Sequence, residues 1–182
     1  MTLTTAKWTL EDYHRMIQAG ILDGRQVEFL NGEIIEMSPE GESHASASAD
    51  AGEYLTRLLG ERAQVRQGKP ITLPTVNSEP EPDLAIVQRL GPEYRRHHPY
   101  PENIYWIIEY ADTSLSKDLN EKKQLYAQAG IPEYWVVNLQ ERRVHVFRHP
   151  VNGTYQFEQT IQQGTLTPLA FPDLAIPVDQ LL

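Results

Sequence analysis

Three charged residues of this 182-residue chain stand where charge is costly. Glu109 closes the apolar run IYWIIEY, Lys122 falls on the oily side of a helical pattern, and Asp83 follows a proline at the head of PDLAIV. A carboxylate that ends a buried strand must be hydrated, paired or metal-bound, because burying it alone is very unfavourable. Two carboxylates and a lysine that converge supply what metal-dependent phosphodiester cleavage needs. The acids Asp83 and Glu109 offer hard oxygen ligands to Mg²⁺ or Mn²⁺. Such an ion polarises a phosphate and lowers the pKa of a bound water. The lysine orients that water or stabilises transition-state charge. Taken singly, each residue also has a plain structural role. Lys122 can run along apolar surface to water, Glu109 can pair with an arginine or with Lys122, and Asp83 can be a solvated strand start.

The elements that must position these groups follow from periodicity and punctuation. Residues 8–19 read as a helix with Thr9 as N-cap and Gly20 as stop. VEFLNGEIIEM reads as a hairpin turning at Asn31-Gly32 in a type I′ turn. Residues 43–59 form a second helix ending at Gly60, and short strands are expected around 63–66 and 70–73. PDLAIV is a strand, and residues 88–103 are a long polar connection carrying Arg95, Arg96, His97 and His98. IYWIIEY and YWVVNL have the near-continuous apolar character of strands buried on both faces. Between them, residues 114–129 read as a helix with Ser114 as N-cap and Gly130 and Pro132 as stops. RRVHVFRH, TYQFEQTI and the Pro-rich tail read as an antiparallel continuation.

At about 100° per residue, Leu115, Leu119, Tyr126 and Ala129 share one face of the third helix, with Lys122 near its middle and Lys123 at its edge. Asp118, four residues before Lys122, can form a same-helix ion pair. The whole order predicts an α/β fold built on a mixed, partly parallel sheet, with residues 1–182 as one domain.

Composition narrows the function classes. There are no cysteines, which removes disulfides, thiolate nucleophiles and Cys-ligated zinc. The net charge of −9 counts against tight non-specific binding to nucleic acid. It leaves room for an enzyme with a local basic rim around an acidic pit. No stretch approaches the roughly 18 apolar residues of a membrane helix, and the N-terminus carries no apolar signal-like core. A cytoplasmic location is expected. No GxSxG, P-loop, GxGxxG or HExxH occurs.

Pro82-Asp83 and Glu109 resemble the two acidic elements of PD-(D/E)XK nucleases, but Ala111 stands where those nucleases carry the strand lysine. A longer pattern resembles the Uma family of bacterial restriction-endonuclease-like proteins. It runs through VEFLNGEIIEMSPEG, His44, PDLAIV, the block IIEYADTSLSKDLNEKKQLYAQAGIPEYWVVNL and FPDLAIPVDQLL. The resemblance implies a restriction-endonuclease-like PD-(D/E)XK core with flanking helices and an N-terminal β-hairpin. It implies that the lysine has moved to the helix, at Lys122, that Glu28 is a further catalytic acid, and that the protein is a homodimer acting on DNA. His44 matches too, and can contact a bound water or phosphate. Read without the resemblance, Glu28 is an exposed hairpin residue and His44 a solvated helix start. Arg95 and Arg96 suit phosphate contact or a solvated loop equally. Arg142, Arg143 and Arg148 read as surface charge or edge protection, and Trp106 and Trp135 as core. Two rivals to a nuclease remain: a catalytically silent nuclease-fold protein acting as a binding or structural module, and a small-molecule or protein-binding module.

Overall fold

The computed structural model describes residues 5–112 and 114–182. Residues 1–4, part of the N-terminal stretch expected to carry no signal-like core, lie outside them.

Helix α1 (Leu10–Gln18) starts at Thr9, whose side chain accepts from the Asp12 N–H while the Asp12 carboxylate accepts from the Thr9 N–H. Strands β1 (Val27–Leu30) and β2 (Glu33–Glu36) form the expected hairpin. Its turn has positive φ at both Asn31 (50°) and Gly32 (80°), as a type I′ turn requires. Helix α2 (Glu42–Leu59) ends at Gly60 in a positive-φ conformation.

The main sheet has six strands: β3 (Gln64–Gln67), β4 (Leu84–Val87), β5 (Ile104–Ala111), β6 (Glu133–Asn138), β7 (Arg143–Val151) and β8 (Thr154–Ile161), in that spatial order. Among the described strands only β5 and β6 run parallel. Helix α3 (residues 115–128) connects them.

Alternation along β5 distributes its side chains between two layers. Trp106, Ile108 and Tyr110 face α2 and the C-terminal segment, packing with Leu55, Leu59, Phe171 and Ile176. Ile107 and Ala111 face α3 and join Leu125, Tyr126, Ile131 and Leu30 of the hairpin. Glu109, between Ile108 and Tyr110, belongs to the second layer. A smaller cluster of Tyr13, Leu22, Val27 and Phe29 fastens α1 to the hairpin.

Three local expectations need correction. Residues 70–73 are not a strand of the sheet. Ile71 and Leu73 are buried, but their N–H groups bond to Pro80 and Ser78 across a tight loop, and prolines at 70 and 74 leave no continuous ladder. The Pro-rich tail does not extend the main sheet: β9 (Thr165–Leu166) and β10 (Ile176–Pro177) form a separate two-stranded ladder against the α2 layer. Ser114 does not cap α3 through its side chain; its hydroxyl donates instead to the Asp118 carboxylate at 2.5 Å.

Candidate functional site

The site is set by strand register. Leu84 pairs with Ile108 across β4 and β5, so Asp83, one residue earlier, lies opposite Glu109, one residue later. The two carboxylates are tied through the backbone: the Tyr110 N–H donates to Asp83 Oδ2 at 2.6 Å, and the Asp83 N–H approaches Glu109 Oε2 at 3.4 Å. Pro82 ends the extended EPEP run and delivers the chain into β4 at this point.

Lys122 meets them from above. Helix α3 is not regular: Asp118–Lys122 form a π-helical segment between two α-helical ones. A π segment inserts an extra residue into the turn and is enriched at functional sites. Here it buries both Asp118 and Lys122. Lys122 is only 7% exposed. Its Nζ donates to Glu109 Oε1 at 2.9 Å and lies 3.6 Å from Glu28 Oε2. The Tyr126 hydroxyl, one turn on, donates to the same Glu109 oxygen at 2.7 Å. The possible Asp118–Lys122 ion pair does not form at contact distance among the described residues, because Asp118 turns to Ser114 and Lys122 turns to the sheet.

Glu28 is sealed in the hairpin, 1% exposed, so the exposed-residue reading does not hold. Its Oε1 accepts from Lys117 Nζ at 2.5 Å, while its buried Oε2 has no hydrogen bond among the described residues. His44, in the first turn of α2, is not a solvated helix start either: its side chain is 14% exposed and Nε2 lies 3.1 Å from Asp83 Oδ2. Its Nδ1 faces Glu40 Oε2 at 3.5 Å.

The electrostatics follow from burial and surplus negative charge. Burial pushes the Glu109 carboxyl up to about 8, with Asp83 and Asp118 adding to the shift and Lys122 opposing it. Burial also raises Asp118. For Lys122, burial alone would drive the proton off, but the charges of Glu109, Glu28 and Asp118 outweigh it and hold the ammonium well above its ordinary range. Burial would raise Glu28 as well, yet Lys122 and Lys117 bring it below the ordinary carboxylate range. Glu81, half-buried in the EPEP run, is raised by burial and by Glu28 and Glu79. His44 is raised to about 9, chiefly by its hydrogen bond to Asp83 against the cost of burial.

Glu28, Glu81, Asp83, Glu109 and Asp118 thus face Lys117, Lys122 and His44. Carboxylates outnumber lysines, and the buried Glu28 Oε2 has Lys122 only at 3.6 Å and no hydrogen bond among the described residues. Hard oxygen donors with uncompensated charge are the chemistry that holds a divalent cation, so these residues fit one. Glu40, His44 and Asp83 each offer a ligand atom within 4.8 Å of the others.

Other candidates lie elsewhere. Arg95 and Arg96 are exposed, at a 3₁₀ turn of the 88–103 connection, and make no ion pair among the described residues. Arg143 pairs with Glu141, whereas Arg148 pairs with the fully buried Glu133 and is therefore structural, not edge protection. Trp106 and Trp135 are core. Two polar clefts of about 440 and 560 Å³ do not include Asp83, Glu109 or Lys122.

The sequence reading missed Glu81, Lys117, Tyr126 and Glu40 as members of the cluster. Signals existed for two. Acids at every second residue of EPEPD share one side of an extended chain, and Tyr126 lies four residues after Lys122 on the same helical face. Lys117 meets Glu28 across 89 residues, which no local pattern encodes.

Comparison with curated proteins found no match. Among solved structures, the chain is similar to a crystal structure from Anabaena variabilis described as "a putative nuclease belonging to DUF820". The two are 16% identical, with a TM-score of 0.65 covering 85% of this chain and 88% of that one, so the likeness concerns the fold. No described helix is long and apolar enough to cross a membrane. The family model Uma2, described as "Putative restriction endonuclease", matches residues 10–179, and the chain belongs to that family.

Proposed function

We propose that this chain is a metal-dependent endonuclease that hydrolyses DNA phosphodiester bonds. One observation carries the reading. Lys122 is buried against Glu109, Glu109 stands opposite Asp83, and the surrounding acids outnumber the lysines. Family membership and the nuclease-like fold support it.

In this reading Asp83 and Glu109 hold Mg²⁺ or Mn²⁺. The bound ion supplies polarisation of a phosphoryl oxygen and a more acidic water. The chain's own residues do the rest. Lys122, kept cationic by its three acidic neighbours, places a fixed positive charge where negative charge develops on the phosphate. Tyr126 fixes the Glu109 carboxylate from the side away from solvent. Glu28 holds Lys117 and Lys122 together from the hairpin. Residues 1–182 act as one domain, and a homodimer in the cytoplasm belongs to the same proposal.

A catalytically silent protein is the second reading, favoured by the closed 2.9 Å Lys122–Glu109 pair, which is already a satisfied structural contact. Nicking of supercoiled plasmid in Mg²⁺ or Mn²⁺ separates the two. The nuclease reading expects nicking by the wild type and loss of about 10²-fold or more in Asp83→Asn, Glu109→Gln and Lys122→Met. Wild-type protein that binds the cation but never nicks any DNA form supports the silent reading.

A further inference from the structure

His44 has two ring nitrogens, and each faces a carboxylate. Nε2 is 3.1 Å from Asp83 Oδ2, inside the site. Nδ1 is fully buried, has no hydrogen bond among the described residues, and stands 3.5 Å from Glu40 Oε2 on the outer side. The ring lies edge-on to Tyr110, with centroids 6.1 Å apart, and is carried by an 18-residue helix. It is a rigidly mounted imidazole, not a mobile surface group.

We infer that His44 is a nitrogen ligand of the cation held by Asp83, binding through Nε2, and that Glu40 is the positioning residue that accepts from Nδ1–H. The inference rests on the cation-site reading above and adds a ligand and a metal preference to it. Metal-bound histidines almost always donate their second N–H to a carboxylate or carbonyl, which fixes the tautomer and the ring orientation. Glu40 stands where that acceptor is needed. Nε2, on releasing its proton to solvent, and Asp83 Oδ2 would hold the cation in place of the hydrogen bond that now joins them, and Nδ1–H would donate to Glu40. The Glu40 side chain is 57% exposed, so it can close the remaining distance at little cost.

The chemical consequence is selectivity. An all-oxygen site suits Mg²⁺, whereas imidazole favours first-row divalent transition metals. His44 therefore shifts the site from Mg²⁺ towards first-row transition metals, with Mn²⁺ as the paramagnetic probe of that shift.

The test is Mn²⁺ binding to the full chain, read by electron paramagnetic resonance with Mg²⁺ as competitor, and pulsed measurement of nitrogen coupling to the bound ion. Wild type is expected to show nitrogen coupling and to bind Mn²⁺ about 10-fold or more tighter than Mg²⁺. His44→Gln, which keeps a hydrogen-bonding side chain beside Asp83, should lose the coupling and about 10- to 100-fold of its Mn²⁺ affinity, with a smaller loss for Mg²⁺. Glu40→Gln should keep the coupling while weakening Mn²⁺. Bound Mn²⁺ without nitrogen coupling, or an unchanged Mn²⁺/Mg²⁺ ratio in His44→Gln, overturns the inference and leaves the Asp83–Glu109 site standing. A folded wild type that binds neither ion removes the cation site and this inference together.

Discussion

Glu109 and Glu133 lie on neighbouring parallel strands, and both are sealed from water. Their surroundings differ completely. Glu133 sits opposite Arg148 in the β6–β7 register. Its Oε1 accepts from Arg148 Nε at 2.7 Å and Trp135 Nε1 at 2.8 Å, and its Oε2 accepts from the Leu169 N–H at 2.7 Å. Arg148 in turn donates to the Thr167 carbonyl. One anion, one cation and two neutral donors close that network and pin the C-terminal segment to the sheet. Glu109 shares its lysine with Glu28, has Asp83 and Asp118 close by, and carries only a long 3.4 Å contact on Oε2. The first arrangement is complete. The second has acid to spare, which fits the cation site proposed above.

Substitutions separate the two most sharply. Glu133→Ala leaves the Arg148 cation without its counterion and the Trp135 and Leu169 N–H groups without their acceptor, and removing one member of a buried pair costs about 3–5 kcal/mol. The melting temperature should fall by on the order of 10 °C. Glu109→Gln should stay within about 1 kcal/mol of wild type, because Lys122 keeps Glu28 and a neutral amide replaces a carboxyl that holds its proton up to about 8. Thermal melts of the two variants side by side check this. Equal losses would mean that Glu109 is as structural as Glu133.

The same surplus gives stability a sign with pH. The folded chain keeps the Glu109 proton from the ordinary 4.5 up to about 8, so it binds more protons than the unfolded chain over that window. Stability therefore falls as pH rises through it. His44, raised from 6.5 to about 9, acts in the same direction: its stabilisation is full below 6.5 and is lost as pH rises through 9. Urea unfolding across this range should show the decline in wild type, and His44→Gln should flatten its upper part. A curve that rises from pH 5 to 9 would contradict both shifts.

Smaller effects grade the polar contacts by burial. Lys117→Ala removes the hydrogen-bonded partner of the buried Glu28, leaving it Lys122 at 3.6 Å, and should cost about 1–3 kcal/mol. Tyr126→Phe removes one donor from Glu109 and should cost about 1–2 kcal/mol. Lys123→Ala breaks a 2.9 Å pair with the half-exposed Glu158 and should cost less than about 0.5 kcal/mol. Chemical denaturation resolves the order, and an equal cost for Lys117 and Lys123 would argue against a buried Glu28 charge.

Much of this was legible before the fold. Asn31-Gly32, Thr9 and the apolar runs of β5 and β6 announce their elements because local sterics and burial decide them. Lys122 could be placed on the sheet-facing side of α3 by period alone. Glu109 was among its legible partners, because the crossover returns the helix over that strand. Glu28 was not: it reaches Lys122 only because the hairpin folds over the helix, and Lys117 meets Glu28 by the same long-range packing. The π segment at Asp118–Lys122 also has no simple period, and it sends Asp118 to Ser114 instead of Lys122. Residues 70–73 look like a strand because they are apolar, yet flanking prolines and the loop to Ser78 bury them outside the ladder.

The most direct test is calorimetric titration of Mn²⁺ and Mg²⁺ into wild type and into Asp83→Asn/Glu109→Gln, in two buffers of different ionisation enthalpy. A cation site at these carboxylates predicts binding by the wild type with proton release near neutral pH, as Glu109 gives up its proton, and no binding by the double variant. Binding that survives in the double variant, or a folded wild type that takes up neither ion, would contradict it.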